Sequence, residues 1–287
     1  MGLIFTEELP YAFGDPAITA FLEGVSASLA EAQMSLLIIP SGRIRTDMSI
    51  VRNALVDAFL LYSTPKSDPA IVAAQQRNVP LVCVDAPRLP GAPFVSIDDR
   101  AAARAAAEHV IAQGHARLAV LIADATENRA VRVTTYEDLK DDPPDVTRAR
   151  LYGYADACAE HGLPMPMILQ AGFNTVDSVR EALHALHPRL GNPTALLATS
   201  DLLAVGAMKY CDDVDIRVPH DVSVVGFDDL SLLTDAAPTL TTVRQPLREK
   251  GALAGQLLVS LINGKKMSKL THDLPWELVE RGSTGPA

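Results

Sequence analysis

Acidic and polar side chains stand directly after several short apolar runs of this chain. Asp228 follows the run 224–227, and Ser200 and Asp201 follow the run 195–198. In open α/β sheets, ligands bind beyond the carboxyl ends of the strands, so these positions are candidates for ligand contacts. The carboxylate of Asp228 can accept hydrogen bonds from two ligand hydroxyls. The alternative for Asp228 is a loop cap or an ion pair with an arginine.

Other candidate residues stand next to the starts of helices. In YAFGDPAIT, Phe13 and Asp15 precede Pro16, and proline suits the first position of a helix. This leaves Phe13 and Asp15 in a loop that can reach a ligand, although Asp15 also suits the role of N-cap. Ser200 and Asp201 present the same choice, because short polar side chains cap helices well.

Catalytic and metal-binding patterns are missing from the sequence. There is no GxSxG, GxGxxG, P-loop or HExxH motif, so an enzyme would need acid, base or nucleophile groups that no motif brings together. The three cysteines lie far apart without CxxC spacing, which argues against a zinc site or a disulfide framework and favours a reducing compartment. Only His184 and His187 share a helical spacing, near a helix end that favours imidazoles by itself. The sequence predicts neither a metal nor a cofactor.

Composition and charge exclude further classes of protein. A net charge of -10 repels phosphates, so this chain is not expected to bind DNA by itself. The N-terminus lacks the pattern of a signal peptide, and no run of eighteen apolar residues exists that could cross a membrane.

The elements that position these residues follow a βα alternation. Apolar runs of strand length alternate with amphipathic stretches of helical length, which predicts parallel sheets covered by helices on both faces. In the first series the predicted strands are 3–5, 36–39, 58–62, 81–84 and 94–97, and the predicted helices are 16–33, 46–54 and 67–77.

A second series of the same architecture begins with a helix at 99–113 that Gly114 ends. Its predicted strands are 118–122, 167–169, 195–198 and 223–225, and its further helices are 147–161, 175–187 and 201–211. The last elements are a strand at 240–243, a helix at 246–262 and an extended stretch at 271–279. They are too few to bury their own core, so they should return to the earlier sheets. Residues 123–147 are interpreted as a long surface loop or a disordered insertion.

The segment 218–246, VPHDVSVVGFDDLSLLTDAAPTLTTVRQP, closely resembles the signature of LacI/GalR-family regulators. Further similar segments follow in the order of that family and span nearly the whole chain: EHVIAQGHARLAVL, RARLYGYADAC, TALLATSDLLAVGAM and LPWELVERGST. The resemblance implies a periplasmic-binding-protein-like fold of two Rossmann-like α/β lobes joined by three crossovers. The first lobe would contain 1–97 with 244–273, and the second 98–243 with 274–287.

The resemblance also implies a function. The chain would be the effector-sensing domain of a cytoplasmic, homodimeric transcription regulator, with a sugar or a purine held between its lobes. Members of the family usually carry a helix-turn-helix headpiece, which has no counterpart in this sequence, so operator DNA would be bound only through that missing part.

Residue by residue, the resemblance assigns effector contacts to Asp228, as the first Asp of GFDD, and to Arg150, with Arg148 as the competing arginine. An exposed arginine near a helix start is often only solvated. Phe173 stands where relatives often place an aromatic ring against the ligand, and its alternative is core packing. Ser200 replaces an Asn that is common in the family, which puts its hydrogen bond in doubt. Asp98 joins the candidates because it lies at a crossover.

A sugar-binding component of an ABC transporter shares this fold and is the alternative function. Such a protein requires export, and the sequence shows no signal peptide. The segments LTTVRQP and ELVERGST favour the regulator.

Overall fold

A computed structural model describes residues 1–5, 9–41, 48–124, 129–139, 145–230 and 238–287. The chain divides into two units, each discontinuous in sequence. Unit 1 comprises Met1–Ile97, Pro144–Val146 and Pro246–Pro275, and unit 2 comprises Asp98–Pro143, Thr147–Gln245 and Trp276–Ala287.

The described residues form thirteen strands and nine α-helices. In chain order the strands are β1 (Gly2–Phe5), β2 (Leu37–Pro40), β3 (Phe59–Tyr62), β4 (Leu81–Val84), β5 (Phe94–Ser96), β6 (Leu118–Ala123), β7 (Arg132–Thr134), β8 (Met167–Ala171), β9 (Ala195–Ala198), β10 (Ser223–Asp228), β11 (Thr241–Arg244), β12 (Thr271–Asp273) and β13 (Glu277–Val279). The α-helices are α1 (Leu9–Gly14), α2 (Pro16–Glu31), α3 (Ser49–Arg52), α4 (Pro69–Gln75), α5 (Asp99–Ala112), α6 (Asp145–Glu160), α7 (Val176–Leu186), α8 (Asp201–Asp213) and α9 (Leu247–Ile262). Two 3₁₀ turns lie at Glu137–Leu139 and His187–Leu190.

Unit 1 is built on a parallel sheet with the strand order β12-β5-β4-β3-β1-β2. Successive residues of its strands point to opposite faces. Leu3 and Leu60 therefore pack in the cluster that contains residues of α2 and α9, while Ile4 and Leu61 pack in the cluster that contains residues of α3 and α4. The inner strands β1, β3 and β4 are covered on both faces, which explains why they are continuously apolar.

Helices α2 and α9 pack closely because glycines stand at their crossing. A Cβ at Gly24 would overlap the carbonyl oxygen of Arg248, and a Cβ at Gly251 would overlap the carbonyl oxygen of Phe21. Unit 2 contains a similar close approach at a glycine, because a Cβ at Gly206 of α8 would overlap the carbonyl oxygen of Val176. The absence of a side chain lets the backbones approach at each of these places.

Unit 2 is built on a seven-stranded sheet with the order β13-β11-β10-β9-β6-β8-β7. The strands from β11 to β8 are parallel, whereas the two edge strands are antiparallel to their neighbours. The described part of the chain thus confirms the predicted α/β class with parallel sheets. It contains no helix long and apolar enough to cross a membrane.

Four local features differ from the predictions. The long loop predicted at 123–147 is wrong in part, because Arg132–Thr134 form β7 and Glu137–Leu139 form a 3₁₀ turn; positions 125–128 and 140–144 lie outside the described residues. The extended stretch predicted at 271–279 is two strands: β12 joins the sheet of unit 1, and β13 joins that of unit 2. Helix α1 was not predicted. The helix predicted at 46–54 is only four residues long in the structure, and positions 46 and 47 lie outside the described residues.

Candidate functional site

The side chain of Arg150, in α6, is fixed by three other elements of unit 2. Its Nε donates to Oδ1 of Asp99 in α5 at 2.8 Å, and its Nη1 donates to the carbonyl oxygen of Thr199, after β9, at 2.6 Å. The guanidinium carbon lies 3.6 Å from the centroid of the Phe227 ring in β10. Arg150 is buried, whereas the competing Arg148 is half-buried. The buried guanidinium is therefore held in one orientation.

The charge of this buried guanidinium is maintained by two carboxylates. Burial opposes the charged form of Arg150, but the negative charges of Asp99 and Asp228 outweigh burial and hold its pKa above the ordinary value. Arg150 is therefore a permanent cation inside unit 2.

Asp228 ends β10 close to this cation. Its Oδ1 accepts a hydrogen bond from Nε2 of Gln245 at 2.5 Å and lies 3.9 Å from Nη1 of Arg150. The second distance exceeds that of a hydrogen bond, so the two groups attract each other without direct donation. A hydroxyl that accepts from Nη1 and donates to Oδ1 would bridge them.

The backbone at this position is strained. Asp228 has φ of +129° and Asp229 has φ of +60°, in the region that favours glycine. Such conformations cost about 1–3 kcal/mol each and are concentrated at functional sites, where the surrounding structure enforces them.

Ser200 caps α8. Its Oγ accepts the N–H of Leu203 at 3.3 Å and donates to Oδ1 of Asn174 in the loop after β8. Asp201, the first residue of the helix, does not take the capping role that the sequence left open for it. Ser200 also connects the carboxyl end of β9 to the loop that carries Phe173.

Asp201 is buried, and both of its carboxylate oxygens accept hydrogen bonds. Oδ2 accepts the N–H of Leu230 at 2.8 Å, and Oδ1 accepts the hydroxyl of Thr242 at 2.5 Å. Burial raises the pKa of this carboxyl to about 6, against the hydrogen bonds from Thr242 and Leu230, which lower it, and with a contribution from the charge of Asp229, which raises it. Asp201 faces the interior of unit 2 and not solvent.

Phe173 is an exposed aromatic side chain, 45% accessible, so it does not pack in the core. Its N–H donates to Oγ of Ser178 at 3.0 Å, and the guanidinium carbon of Arg129 lies 4.4 Å from its ring centroid. The ring is held at the surface by a backbone hydrogen bond and a cation–π contact.

Asp98 and its neighbour Asp99 have different roles. Asp98 is exposed, and its Oδ1 accepts the N–H of Ala101 at 3.0 Å, which makes it the N-cap of α5. The carboxylate that reaches the site residue Arg150 belongs to Asp99, which the sequence analysis missed. The backbone contact at Thr199 and the amide of Gln245 were missed as well.

The two candidates of unit 1 stand next to α2. Phe13 lies in α1 and not in the loop predicted for it, and it is 63% accessible. Asp15 is buried, and its Oδ1 accepts the N–H of Ala17 at 2.8 Å, which confirms the capping role that the sequence left open beside Pro16. Within unit 2 the structure places Arg150 near Asp228. Asp201 contacts the turn that follows Asp228, through the N–H of Leu230.

Within the described ranges, no three His, Cys, Asp or Glu side chains lie close enough to hold a metal ion. Nε2 of His184, one of the two histidines with helical spacing, lies 2.9 Å from Oδ2 of Asp213, and each carboxylate oxygen of Asp213 accepts one hydrogen bond from Arg180. The position of His184 is thus explained by an ion-pair network.

Comparison with known proteins gives concordant results. The periplasmic binding protein-like domain family matches residues 107–284. An HTH-type transcriptional regulator of Mycolicibacterium smegmatis is 36% identical, over 90% of this chain and 73% of its own length. An HTH-type transcriptional regulator of Mycobacterium tuberculosis is 35% identical, over 100% of this chain and 80% of its own length.

Solved structures agree with these relatives. A LacI-family transcriptional regulator from Corynebacterium glutamicum superimposes with a TM-score of 0.88 at 30% identity, covering 99% of this chain and 84% of that one. A complex of the transcriptional regulator CelR with cellobiose superimposes with a TM-score of 0.82 at 27% identity, covering 98% and 83% of the two chains. The comparisons favour a regulator over a transporter component.

Proposed function

This chain belongs to the LacI family of transcriptional regulators, and we propose that it senses a sugar effector, which Arg150 and Asp228 of unit 2 bind directly. The observation that carries the proposal is the fixed cation and carboxylate at 3.9 Å, at the carboxyl ends of β9 and β10. Adjacent sugar hydroxyls can accept from one group and donate to the other.

Contacts within unit 2 hold both groups of this arrangement in place. Asp99 and Thr199 hold the guanidinium of Arg150, and Gln245 holds the carboxylate of Asp228. A ligand therefore loses little free energy in ordering these side chains, which favours affinity for a small molecule.

We assign the exposed ring of Phe173 to the apolar face of the same ligand. A sugar presents C–H groups on one face, and an aromatic ring packs well against them. A purine would also stack on Phe173, so nucleobases are the competing class of ligand. Ser200, Phe13, Asp15 and Asp98 stay predictions as ligand contacts.

We propose that units 1 and 2 are the two lobes predicted from the sequence at 1–97 with 244–273 and at 98–243 with 274–287. The regulator would act as a homodimer in the cytoplasm and reach operator DNA through a helix-turn-helix. Sedimentation as a monomer at micromolar concentration would contradict it.

The sugar proposal is tested by a thermal-shift screen of monosaccharides, disaccharides including cellobiose, sugar phosphates and nucleobases. A ligand at one hundred times its Kd adds about 2.7 kcal/mol to the free energy of unfolding. Any hit is then measured by calorimetry with Asp228→Asn and with the surface control Asp221→Asn. We expect a sugar to bind, and Asp228→Asn to weaken it roughly 10- to 100-fold, as for the loss of a charged hydrogen bond.

Two outcomes contradict the proposal in different ways. If only nucleobases stabilise the chain, the effector class is wrong. If a sugar binds Asp228→Asn as tightly as it binds Asp221→Asn, the assigned site is wrong.

A further inference from the structure

The turn that follows β10 needs a structural support. Two consecutive non-glycine residues, Asp228 and Asp229, have positive φ there, and Asp228 is the carboxylate assigned to the effector. A short segment with this backbone relaxes unless neighbouring groups enforce it. One of the enforcing groups is a buried side chain outside the turn.

That group is the carboxylate of Asp201. It accepts the N–H of Leu230, the residue directly after the strained pair, and the hydroxyl of Thr242 in β11. Gly226 makes room for it, because a Cβ there would overlap Oδ1 of Asp201. The carboxylate thus connects the start of α8, strand β11 and the end of the turn.

We propose that Asp201 is a positioning residue: its carboxylate holds the turn that carries Asp228 in the conformation that binds the effector, and it does not touch the effector. This inference rests on the proposed function. It gives Asp201 a different role from the effector contact predicted from the sequence, because both of its oxygens are engaged inside unit 2.

The charges around Asp201 are arranged on three neighbouring elements. Asp229 of the turn pairs with Arg244 of β11 at 2.7 Å and with Arg281 of the C-terminal segment at 2.6 Å, and Asp228 ends β10. Asp201 has no cation of its own among the described residues, so its charged form is favoured mainly by hydrogen bonds from Thr242, Leu230 and the backbone of Asp229.

Protonation of Asp201 would weaken the support. A neutral carboxyl accepts hydrogen bonds less strongly than a carboxylate, and one of its oxygens becomes a donor. The hydrogen bond from Leu230 lowers the pKa of this carboxyl, so release of the turn while Asp201 stays buried would raise that pKa above its value of about 6. The charged form therefore favours the native turn, and this support is present above pH 7 and weakens as the pH falls through 6. Unfolding of the whole chain has the opposite sign, because burial raises the folded pKa above that of an exposed aspartate. Effector affinity should decrease over the same interval.

The first test measures the turn alone. Amide hydrogen exchange at Leu230 is followed by NMR from pH 5 to 8 and divided by its intrinsic rate at each pH. We expect protection to fall by about tenfold between pH 7 and 5, as a charge-assisted hydrogen bond becomes a neutral one. The surface control Asp221→Asn should give the same profile.

Two variants separate positioning from general stability. Asp201→Asn should show low protection at Leu230 without the pH step. Thr242→Val keeps the Leu230 contact and removes a hydrogen bond that favours the charged form, so its pH step should move to higher pH. A Leu230 profile that is flat in the unchanged chain, or unmoved in Thr242→Val, overturns the inference.

The second test measures binding of cellobiose and ribose by calorimetry at pH 5 and pH 8. For a sugar that binds, Asp201→Asn should lower the affinity by about tenfold at pH 8 and remove its pH dependence. Equal affinity in Asp201→Asn and Asp221→Asn overturns the positioning role. If Leu230 shows the expected pH step and no sugar of the screen binds, the proposed function fails and the support of the turn by Asp201 stands.

Discussion

Lys250 of α9 forms a buried ion pair in unit 1, and its replacement by methionine tests how much this pair stabilises the fold. The side chain of Lys250 is 0% accessible, and its Nζ donates to Oδ1 and Oδ2 of Asp85 at 2.9 and 2.7 Å. Asp85 follows β4 and also accepts the hydroxyl of Ser96 at 2.8 Å. Methionine keeps most of the apolar stem of the lysine and removes the charge.

The expected loss of stability in Lys250→Met follows from the groups that remain after the substitution. Little apolar contact is lost, so the cavity contribution is small. The carboxylate of Asp85 stays buried with the hydroxyl of Ser96 but without its two charge-assisted bonds from Lys250. Removing one partner of a buried pair costs about 3–5 kcal/mol, because an uncompensated charge remains. With about 2–4 °C per kcal/mol, Lys250→Met should lower Tm by about 6–20 °C.

The assay is urea and thermal unfolding of a double-mutant cycle. Lys250→Met, Asp85→Asn and the double variant are compared, with the exposed Lys209→Met as the control. Asparagine suits position 85, because Asp85 has φ of +48°. Since the double variant contains no unpaired charge, it should be less destabilised than the sum of the single variants. A cost of Lys250→Met below about 1 kcal/mol, or strict additivity in the cycle, would refute the reasoning.

Three further predictions concern both units. Gly24→Ala should destabilise unit 1 by about 1–3 kcal/mol in urea unfolding, because its Cβ would overlap the backbone of α9, whereas Gly14→Ala, with no atom within 4 Å of its Cβ, should be neutral. Asp99→Asn should lower the free energy of unfolding by about 1–3 kcal/mol and weaken sugar binding, because Arg150 loses a charged partner. An unchanged Kd in calorimetry would count against this. Burial lowers the pKa of His115, so the unfolded chain binds a proton at a higher pH than the folded chain does. Stability should therefore be lost as the pH falls below about 6.5. Melting curves at pH 7.5 and 5.5 should show a smaller decrease for His115→Gln, and equal decreases would argue against it.

Most of the buried strands could be predicted from the sequence. Strands covered on both faces are continuously apolar, so runs such as 59–62 and 195–198 were recognisable by composition alone. The starts and ends of helices were equally predictable. Gly114, predicted to end a helix, has φ of +100°, and Pro16 begins α2 after its cap Asp15.

The edges of the sheets were harder to predict. Strand β7 has three residues and only one apolar side chain, Val133, and its hydrogen bonds are made to β8, whose residues lie more than thirty positions later in the chain. No local period can reveal such a strand, because its stability comes from a partner distant in sequence. The division of 271–279 between two sheets has the same cause.

The adjacent acids Asp98 and Asp99 show which part of the candidate site is predictable from helical periodicity. An inward-facing residue of α5 must share a helical face with the buried alanines, and Asp99 stands three, four and seven positions before Ala102, Ala103 and Ala106, all fully buried. Asp98 is out of phase with them by one residue and is the N-cap. The 3.6-residue period therefore selects Asp99 as the carboxylate that enters unit 2. Which group it meets there, Arg150, depends on the packing of α5 against α6, and no periodicity within either helix contains that information.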